Sequence, residues 1–549
     1  MTFTASASAA QDHVIHCQRN GATAPFAVED ATRRNLVNAN ADANRLVNAS
    51  IPVSKLPEEL LVEVFSWLGP VVSTAGVASP WLPSAGACRR WREVICSNPQ
   101  FWRKILVYKS VFWMTTSLAR CRGVPVDIIF LAEHFPHRDL AVLLSDHVSS
   151  IRSLEFRHTL PEWAASISAL LMAHTMPILE RLTLCNGDRA RMAVGLSISP
   201  SQLPRLERLE ISRVHLPRDV TLLRSLRSLS IHHVTLAMPF EDFLSTLHKN
   251  TTLHELSLTD SFHISSGFLL LLPDPPHSGT AAIELPQLRK FTLVSGARAV
   301  VLHILNHLRI PKATEVSLSG NSIGSGHVNN ERLFTACLFP SSRLPSSIFP
   351  MLQEVTQLVL DISDDECSLK AWNNTHHINL ILTELPSGNY LEAGIRDVIN
   401  LFSPAPVSKV ALCWAQDDDE RVREALWKTL LSAFPRLESL ALCGFSSSDD
   451  PWFGLNIAMA ASPSGELCCA RLKSLAIGIM CVMDAEDLDD VLRPLMIMLR
   501  YRAEQGSQLE ELELELEMER DDEDTFMRQV YLPRLKELVD VVRYERYFR

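Results

Sequence analysis

Apolar residues follow two different rhythms along the chain. In the segment IPVSKLPEELLVEVFSWLGP, which begins at Ile51, Leu60, Leu61, Val64, Phe65 and Leu68 recur at the three- and four-residue spacing of a helix. Pro57 suits the first turn, Glu58 and Glu59 favour the positive end of the helix, and Gly69-Pro70 stops it. A second cluster, GACRRWREVICSNPQFWRKI at 86–105, sets Cys88, Trp91, Val94 and Ile95 on one helical face. Pro99, Phe101, Trp102 and Ile105 follow a Ser-Asn-Pro turn, so the spacing predicts two short helices here. Residues 51–105 together predict a helical module too small for much independent stability, and a partner is expected to cover part of its apolar surface.

From about residue 150 the rhythm changes to hexads of the form L-x-x-L-x-L. IRSLEF begins at 151, LERLTL at 179, LERLEI at 206, LRSLSI at 226, LHELSL at 253 and LRKFTL at 288. Weaker copies follow as ATEVSL at 313 and VTQLVL at 355, then VSKVAL at 407, LESLAL at 437, LKSLAI at 472, LEELEL at 509 and LKELVD at 535, with spacings from 20 to 52 residues. The last apolar positions of each hexad alternate with polar ones, as a strand with one face in the core requires. LEELELELEME at 509–519 is the clearest case: one face is leucine and the other is glutamate. Helical periodicity occupies 162–173, 240–249, 298–309, 391–402, 421–434 and 485–504 between hexads. A strand-helix unit of this kind cannot bury its apolar face alone, so about a dozen of them predict a solenoid. An all-helical, armadillo-like solenoid is the structural competitor, and strands at the hexads exclude it.

Composition refines this picture. With 47% hydrophobic and 21% charged residues, the 549-residue chain is neither a disordered nor a collagen-like polymer. Residues 1–50, rich in Ala, Asn, Thr and Ser, predict a mobile tail with a transient helix at 29–47, and 109–148 predict a helical linker or cap. The N-terminus lacks the apolar core of a secretory signal, and the longest tempting apolar run, Phe268 to Leu272, ends at Pro273. Twelve scattered cysteines without Cys-x-x-Cys pairs fit a reduced intracellular compartment, so cytoplasm or nucleus is expected. The N-x-[ST] matches at Asn48, Asn250 and Asn373 then carry no weight.

A net charge of -11 argues against a general nucleic-acid or anionic-membrane binder. The charge is polarised: residues 485–549 hold 18 acidic and 10 basic side chains, whereas Arg205, Arg208, Arg213, Arg218, Arg224 and Arg227 crowd 201–230. Most candidates for specific chemistry have a plainer reading. Arginines in such a segment usually occupy solvated strand and turn positions. The acidic runs Asp417–Glu420 and Asp521–Asp524 read as solvated, the first at the positive end of a helix. GNSIGSG at 320–326 lacks the Lys-Ser/Thr of a phosphate loop and reads as a turn. His232-His233 and His376-His377 point to opposite faces if they lie in strands, which disfavours a shared metal, and Cys468-Cys469 reads as a short buried pair. Gly320–Gly324 within that turn spells G-x-S-x-G but is read as part of the turn, and no HExxH or dinucleotide fingerprint occurs; no catalytic residue, cofactor or metal is expected.

The module at 51–105 resembles an F-box, whose pattern runs LPxELLxxIFxxL, then C-x-x-W-R, then P-x-L/F-W. The matching residues are Leu56, Pro57, Glu59, Leu60, Leu61, Val64, Phe65 and Leu68, then Cys88, Arg89, Arg90, Trp91, Arg92, Pro99, Phe101 and Trp102. The segment VVSTAGVASPWLP at 71–83, with Pro80 and Pro83, departs from the usual short leucine-rich middle helix. With the repeats behind it, the chain resembles the fungal F-box/leucine-rich-repeat proteins. The resemblance implies an α/β chain: an F-box at 51–108, then an irregular leucine-rich-repeat solenoid at 149–549. It also implies the substrate receptor of a Skp-cullin-F-box ubiquitin ligase, non-catalytic itself and serving ubiquitin-dependent degradation. A Skp-type adaptor, and through it a cullin, would dock on Leu56, Pro57, Leu60, Leu61, Val64, Phe65 and Leu68, with Leu60, Leu61, Val64 and Phe65 dividing between the module's own core and the adaptor. Cys88, Trp91, Pro99, Phe101 and Trp102 would form the F-box core, and an unknown target protein would sit on the repeats, with no nucleic acid or membrane involved. Two alternatives differ in class: a scaffold or inhibitor that never recruits cullin, and an enzyme with a site dispersed over the repeats.

Overall fold

Proline and two glutamates set the start of the first helix. In the computed structural model of the chain, a 3-10 turn, Pro52–Lys55, leads to helix α1, Glu58–Trp67, with Pro57 as its N-cap residue and Glu58 and Glu59 in the first turn. Leu68 caps the other end. Helix α2, Trp81–Ala87, and helix α3, Arg89–Ser97, follow, and a 3-10 turn at Pro99–Trp102 closes the module. Cys88 caps α3 by accepting from the Trp91 N–H through its sulfur, and Asn98 caps the turn by accepting from the Gln100 N–H at 3.1 Å.

The structure describes most of the chain from Ile51 to Tyr547 and scattered positions between Asn35 and Ser50, which are helical. Residues 1–34, 69–80, 108–110, 132–139, 160, 187–197, 214–219, 235–239, 261–281, 322–331, 364, 386–389, 415–421, 423, 446–466, 468, 480–484, 519–520 and 548–549 fall outside the described residues. Most of the expected tail, the run Phe268–Leu272, Arg218, the first acidic run, most of GNSIGSG and Cys468 therefore lie outside them. The chain divides into two units, Met1–Val126 and Asp127–Arg549. The segment expected to be a helical linker contains the helices Val111–Cys121 and Leu140–Ser145, and also a strand, Val126–Phe130.

Numbering strands from β1 (Lys104–Val107) and β2 (Val126–Phe130), the hexads of the second unit become β3 (Ile151–Thr159), β4 (Arg181–Asn186), β5 (Arg208–Ser212), β6 (Ser228–His232) and β7 (Glu255–Thr259). A short β8 (Ile283–Glu284) precedes β9 (Lys290–Ser295), β10 (Leu308–Arg309) and β11 (Glu315–Asn321). The later strands are β12 (Gln357–Ile362), β13 (Glu366–Trp372), β14 (His377–Thr383), β15 (Lys409–Trp414), β16 (Ser439–Phe445), β17 (Ser474–Ile479), β18 (Glu511–Glu517) and β19 (Val541–Tyr547). Strands β3 to β7, then β9 and β11, pair in parallel, as do β12 and β15 to β19. These strands exclude the all-helical competitor.

Register explains why the hexad repeats. Leu154, Leu182, Leu209, Leu229, Leu256, Phe291 and Val316 are successive register partners, and so are Leu358, Val410, Leu440, Leu475 and Leu512. None of these side chains is more than 3% exposed. Each such burial contributes about 1.5–3 kcal/mol, and like residues stacked on like residues fill the space between strands evenly. Helices at Pro161–Ala173, Phe240–His248, Arg298–His307, Leu391–Phe402, Glu424–Ala433 and Ala485–Glu504 fall where the periodicity places them.

The ladder is not uniform. Between β11 and β12 the order reverses: β11 pairs with β14, β14 with β13, β13 with β12, and β12 with β15. Strand β13 is antiparallel to both of its neighbours. The 52-residue gap between the hexads at 355 and 407 thus contains two strands that no hexad announces.

Buried polar groups join successive turns of the second unit. Asn250 donates to the carbonyls of Leu223 (2.6 Å) and Leu226 (2.9 Å) and accepts from the Thr252 N–H (2.9 Å). Asp397, fully buried in the helix Leu391–Phe402, accepts from the Leu333 and Thr335 N–H groups at 2.8 and 2.9 Å and so caps the helix Phe334–Leu338. Burial pushes its carboxyl above the usual carboxylate range, against the pull of those hydrogen bonds.

Candidate docking surface

Helix α1 presents two apolar stripes rather than one. Leu61 and Phe65, four residues apart, turn inward and are 0% and 3% exposed. Leu60, Val64, Trp67 and Leu68, at the i, i+4, i+7 and i+8 positions of the opposite stripe, are 50%, 48%, 82% and 41% exposed. Exposed Glu58, Glu59 and Glu63 border this second stripe, and Glu63 accepts from the Trp67 indole N–H at 3.1 Å.

Aromatic contacts hold the inner stripe. The Phe65 ring meets Trp91 edge-on with centroids 5.1 Å apart, and Phe101 at 6.2 Å. Trp81 packs on Trp102 at 4.7 Å, and Trp113 lies 5.5 Å from the same ring. The Trp102 indole N–H donates to the Ile95 carbonyl at 2.8 Å, so this fully packed tryptophan leaves no polar atom wanting. Arg90 reaches back to the Leu56 carbonyl, fixing the entry of α1, and Arg92 donates to the Ala85 carbonyl at 3.0 Å, tying α3 to α2. The Arg120 guanidinium sits 4.4 Å over the Trp102 ring, and the Cys121 thiol donates to the Trp102 carbonyl; burial pushes that thiol up to about 11.

The sequence-derived sites therefore separate. Of the residues expected to face an adaptor, Leu60, Val64 and Leu68 are exposed, Pro57 is exposed at the helix entry and Leu56 is half-buried beside it. Leu61 and Phe65 fall on the core side of that division, Phe65 against the aromatic cluster. Among the expected core residues Phe101 and Trp102 are buried, while Cys88, Trp91 and Pro99 are half-buried. Two residues were missed. Trp67 lies one helical repeat beyond Leu60, so the spacing itself could have found it; Trp81, 7% exposed, was hidden between Pro80 and Pro83, where the sequence suggests a broken helix.

On the second unit the polar strand positions form another surface. A hollow of about 390 Å³ lies over β3 to β6, lined by Glu155, Arg157, Arg181, Arg208 and Glu210 among others. Glu155, with Arg157 at 3.0 Å and Arg181 at 3.8 Å, and Glu210, which accepts from the Thr183 hydroxyl at 3.3 Å, balance most of its charge internally. Among the described arginines of the arginine-rich segment only Arg208 lines it; Arg227 pairs instead with Glu207 at 3.6 Å.

The other candidates stay scattered. Two carboxylates of the second acidic run are held: Asp521 pairs with Arg546, and Asp524 accepts from Arg528 at 2.9 Å and from the Tyr544 hydroxyl at 2.7 Å. Burial opposes ionisation of Asp524, but these bonds outweigh it and hold the carboxyl below its usual range. His232 bonds to Ser230 at 2.7 Å, while His233 faces Asp260. Among the described residues no cluster of three His, Cys, Asp or Glu side chains could hold a metal ion, and no helix is long and apolar enough to cross a membrane.

A helical module with a divided apolar helix, preceding a unit built on stacked strands, is the class of protein these features define. Residues 53–108 match the F-box-like family, so the chain carries an F-box-like domain over about a tenth of its length. No curated protein matches the chain.

Proposed function

We propose that this protein is the target-binding subunit of a Skp-cullin-F-box ubiquitin ligase, docking a Skp-type adaptor through the F-box and holding a target protein on the repeats. The observation that supports it is the outer stripe of α1, Leu60, Val64, Trp67 and Leu68, exposed within a domain of the F-box-like family. Four large apolar groups in one row on a short helix are the ordinary anchor set for a hydrophobic groove, with the neighbouring glutamates as its polar rim. The role is one of proximity: the chain makes no bond itself but raises the effective concentration of a target near a charged ubiquitin carrier. The second unit, read as a leucine-rich-repeat solenoid, offers the exposed polar strand positions for the target. Its place of action is then the cytoplasm or nucleus.

Purified adaptor should retain the intact chain in a pull-down and release the Leu60→Asp/Val64→Asp double variant, whose circular dichroism should match wild type because both sites are exposed. Cullin should co-purify with the adaptor-bound chain. Equal retention of the double variant rejects the docking surface, and adaptor without cullin rejects the ligase role.

A further inference from the structure

The register of β15 and β16 sets Cys413 directly opposite Cys443. Both lie on the polar side of the ladder, out of phase with buried Val410, Leu412, Leu440 and Leu442, and both are half-buried free thiols. Neighbouring strands run about 4.8 Å apart, inside the roughly 4.4–6.8 Å between α-carbons that a disulfide spans. Both side chains leave the same face of adjacent strands at facing positions, so the two thiols are neighbours in one row.

The backbone beyond them is pinned. Gly444, next after Cys443, has φ +92°, and a Cβ there would fall 1.6 Å from the carbonyl oxygen of Trp414, the residue next after Cys413. Only glycine allows this approach, and it coincides with the register shift between Cys443 and Phe445 in the pairing of β16 with β17. On the far side, the partner of Cys443 on β17 is Gly478, so no side chain covers the sulfur from that strand. Adjacent positions in the same row are Asp361 on β12 and Glu515 on β18.

The interaction between the two sulfurs sets their proton affinities apart. It holds Cys443 below the ordinary thiol range, although burial and the carboxylates Glu515, Glu513 and Asp361 oppose it. The same interaction, with burial and the charge on Cys443, pushes Cys413 far up. The lower proton affinity falls on Cys443 and the higher on Cys413.

We propose that Cys413 and Cys443 form a site of reversible oxidation, at which a hydroperoxide converts the facing thiols to a cross-strand disulfide. The Cys443 thiolate attacks one peroxide oxygen; the O–O bond breaks, hydroxide (or alkoxide) leaves, and Cys443 becomes the sulfenic acid. Cys413 sulfur then attacks Cys443 sulfur, the S–O bond breaks, and the departing hydroxide takes the Cys413 proton as water. Two thiols are oxidised, one peroxide is reduced, and the polar face loses both S–H groups while β15 and β16 become covalently joined. This site is independent of adaptor docking.

The test uses the full chain, reduced, desalted and treated with one equivalent of hydrogen peroxide for increasing times. Samples are quenched with an alkylating agent, digested without reductant and analysed by mass spectrometry. A linked Cys413–Cys443 peptide pair, lighter by two hydrogens, should accumulate about tenfold faster than oxidation of the lone half-buried thiol Cys96, and dithiothreitol should restore both thiols. In Cys413→Ser the link should vanish and a dimedone-type reagent should label Cys443. Absence of the linked pair in the wild-type chain, accumulation no faster than Cys96 oxidation, or linkage of Cys443 to another cysteine overturns the proposal.

Discussion

Leucine meets two fates in this chain. In the ladder, every register partner from Leu154 to Leu512 is swallowed by the next strand, whereas α1 buries Leu61 but leaves Leu60 half in solvent. The chemistry of the side chain is the same, and the difference lies in the supply of neighbours. A strand in the middle of a parallel array has a partner on each side with the same alternation, so one face is always covered. A single ten-residue helix in a module of this size has core on one side only, and its second apolar stripe stays open unless another molecule supplies a groove. Exposure on α1 therefore carries functional information that burial in the ladder does not.

Substitutions can break this contrast at either end. The largest effect is expected from Phe65→Ala, which empties the centre of the aromatic cluster and should cost about 3–5 kcal/mol, enough to unfold so small a module; loss of the near-ultraviolet aromatic signal and rapid proteolysis within residues 53–108 would register it. Leu412→Ala in the ladder should cost about 2–5 kcal/mol, seen as a lower urea midpoint, and should leave adaptor retention intact. Leu60→Ser/Val64→Ser should change stability by less than about 0.5 kcal/mol while weakening adaptor binding in a titration, the reverse of the Leu412 outcome. If instead the serine pair lowers the urea midpoint as Leu412→Ala does, the outer stripe is core and the contrast between the regions disappears.

The smallest effect concerns charge on the ladder. Burial, then repulsion from Glu513 and Glu545, raises the Glu515 carboxyl above its usual range. A carboxyl whose folded value is raised takes up its proton more readily in the folded state, so its contribution to stability falls as pH rises through the carboxylate range. Glu515→Gln should therefore stabilise the chain at neutral pH, by no more than about 0.5 kcal/mol because the group is only half-buried, and should make no difference below that range. Thermal melts at both pH values compare the two cases.

Sequence legibility follows the same division. The hexads and the helices between them can be read because each repeats one packing problem with one solution. Strand β14, HINLILT, has buried Ile378, Leu380 and Leu382 in perfect alternation but no leading leucine turn, and it passes unnoticed because it enters the sheet from β13 rather than from a helix. Asn250 and Asn373 look like chance glycosylation acceptors. They are instead structural: Asn250 is buried across a repeat junction, and Asn373 accepts from the Thr375 and His376 N–H groups in the turn between β13 and β14. In α1 the periodicity shows that both stripes are apolar but cannot say which is covered, since that depends on Trp91 and Phe101, some 26 to 36 residues away.

The reversal at β13 bears on how the chain emerges during synthesis. An array wound strictly in order gives each new strand a finished edge to settle on. Here β12 leaves the ribosome while the open edge of β11 is reserved for β14, and β12 itself waits for β13 on one side and β15 on the other. Until Trp372 has been made, a hydrophobic strand with both of its edges unsatisfied stands in the nascent polypeptide, and one edge stays open until Trp414 follows; that interval is when the growing protein has most need of a chaperone.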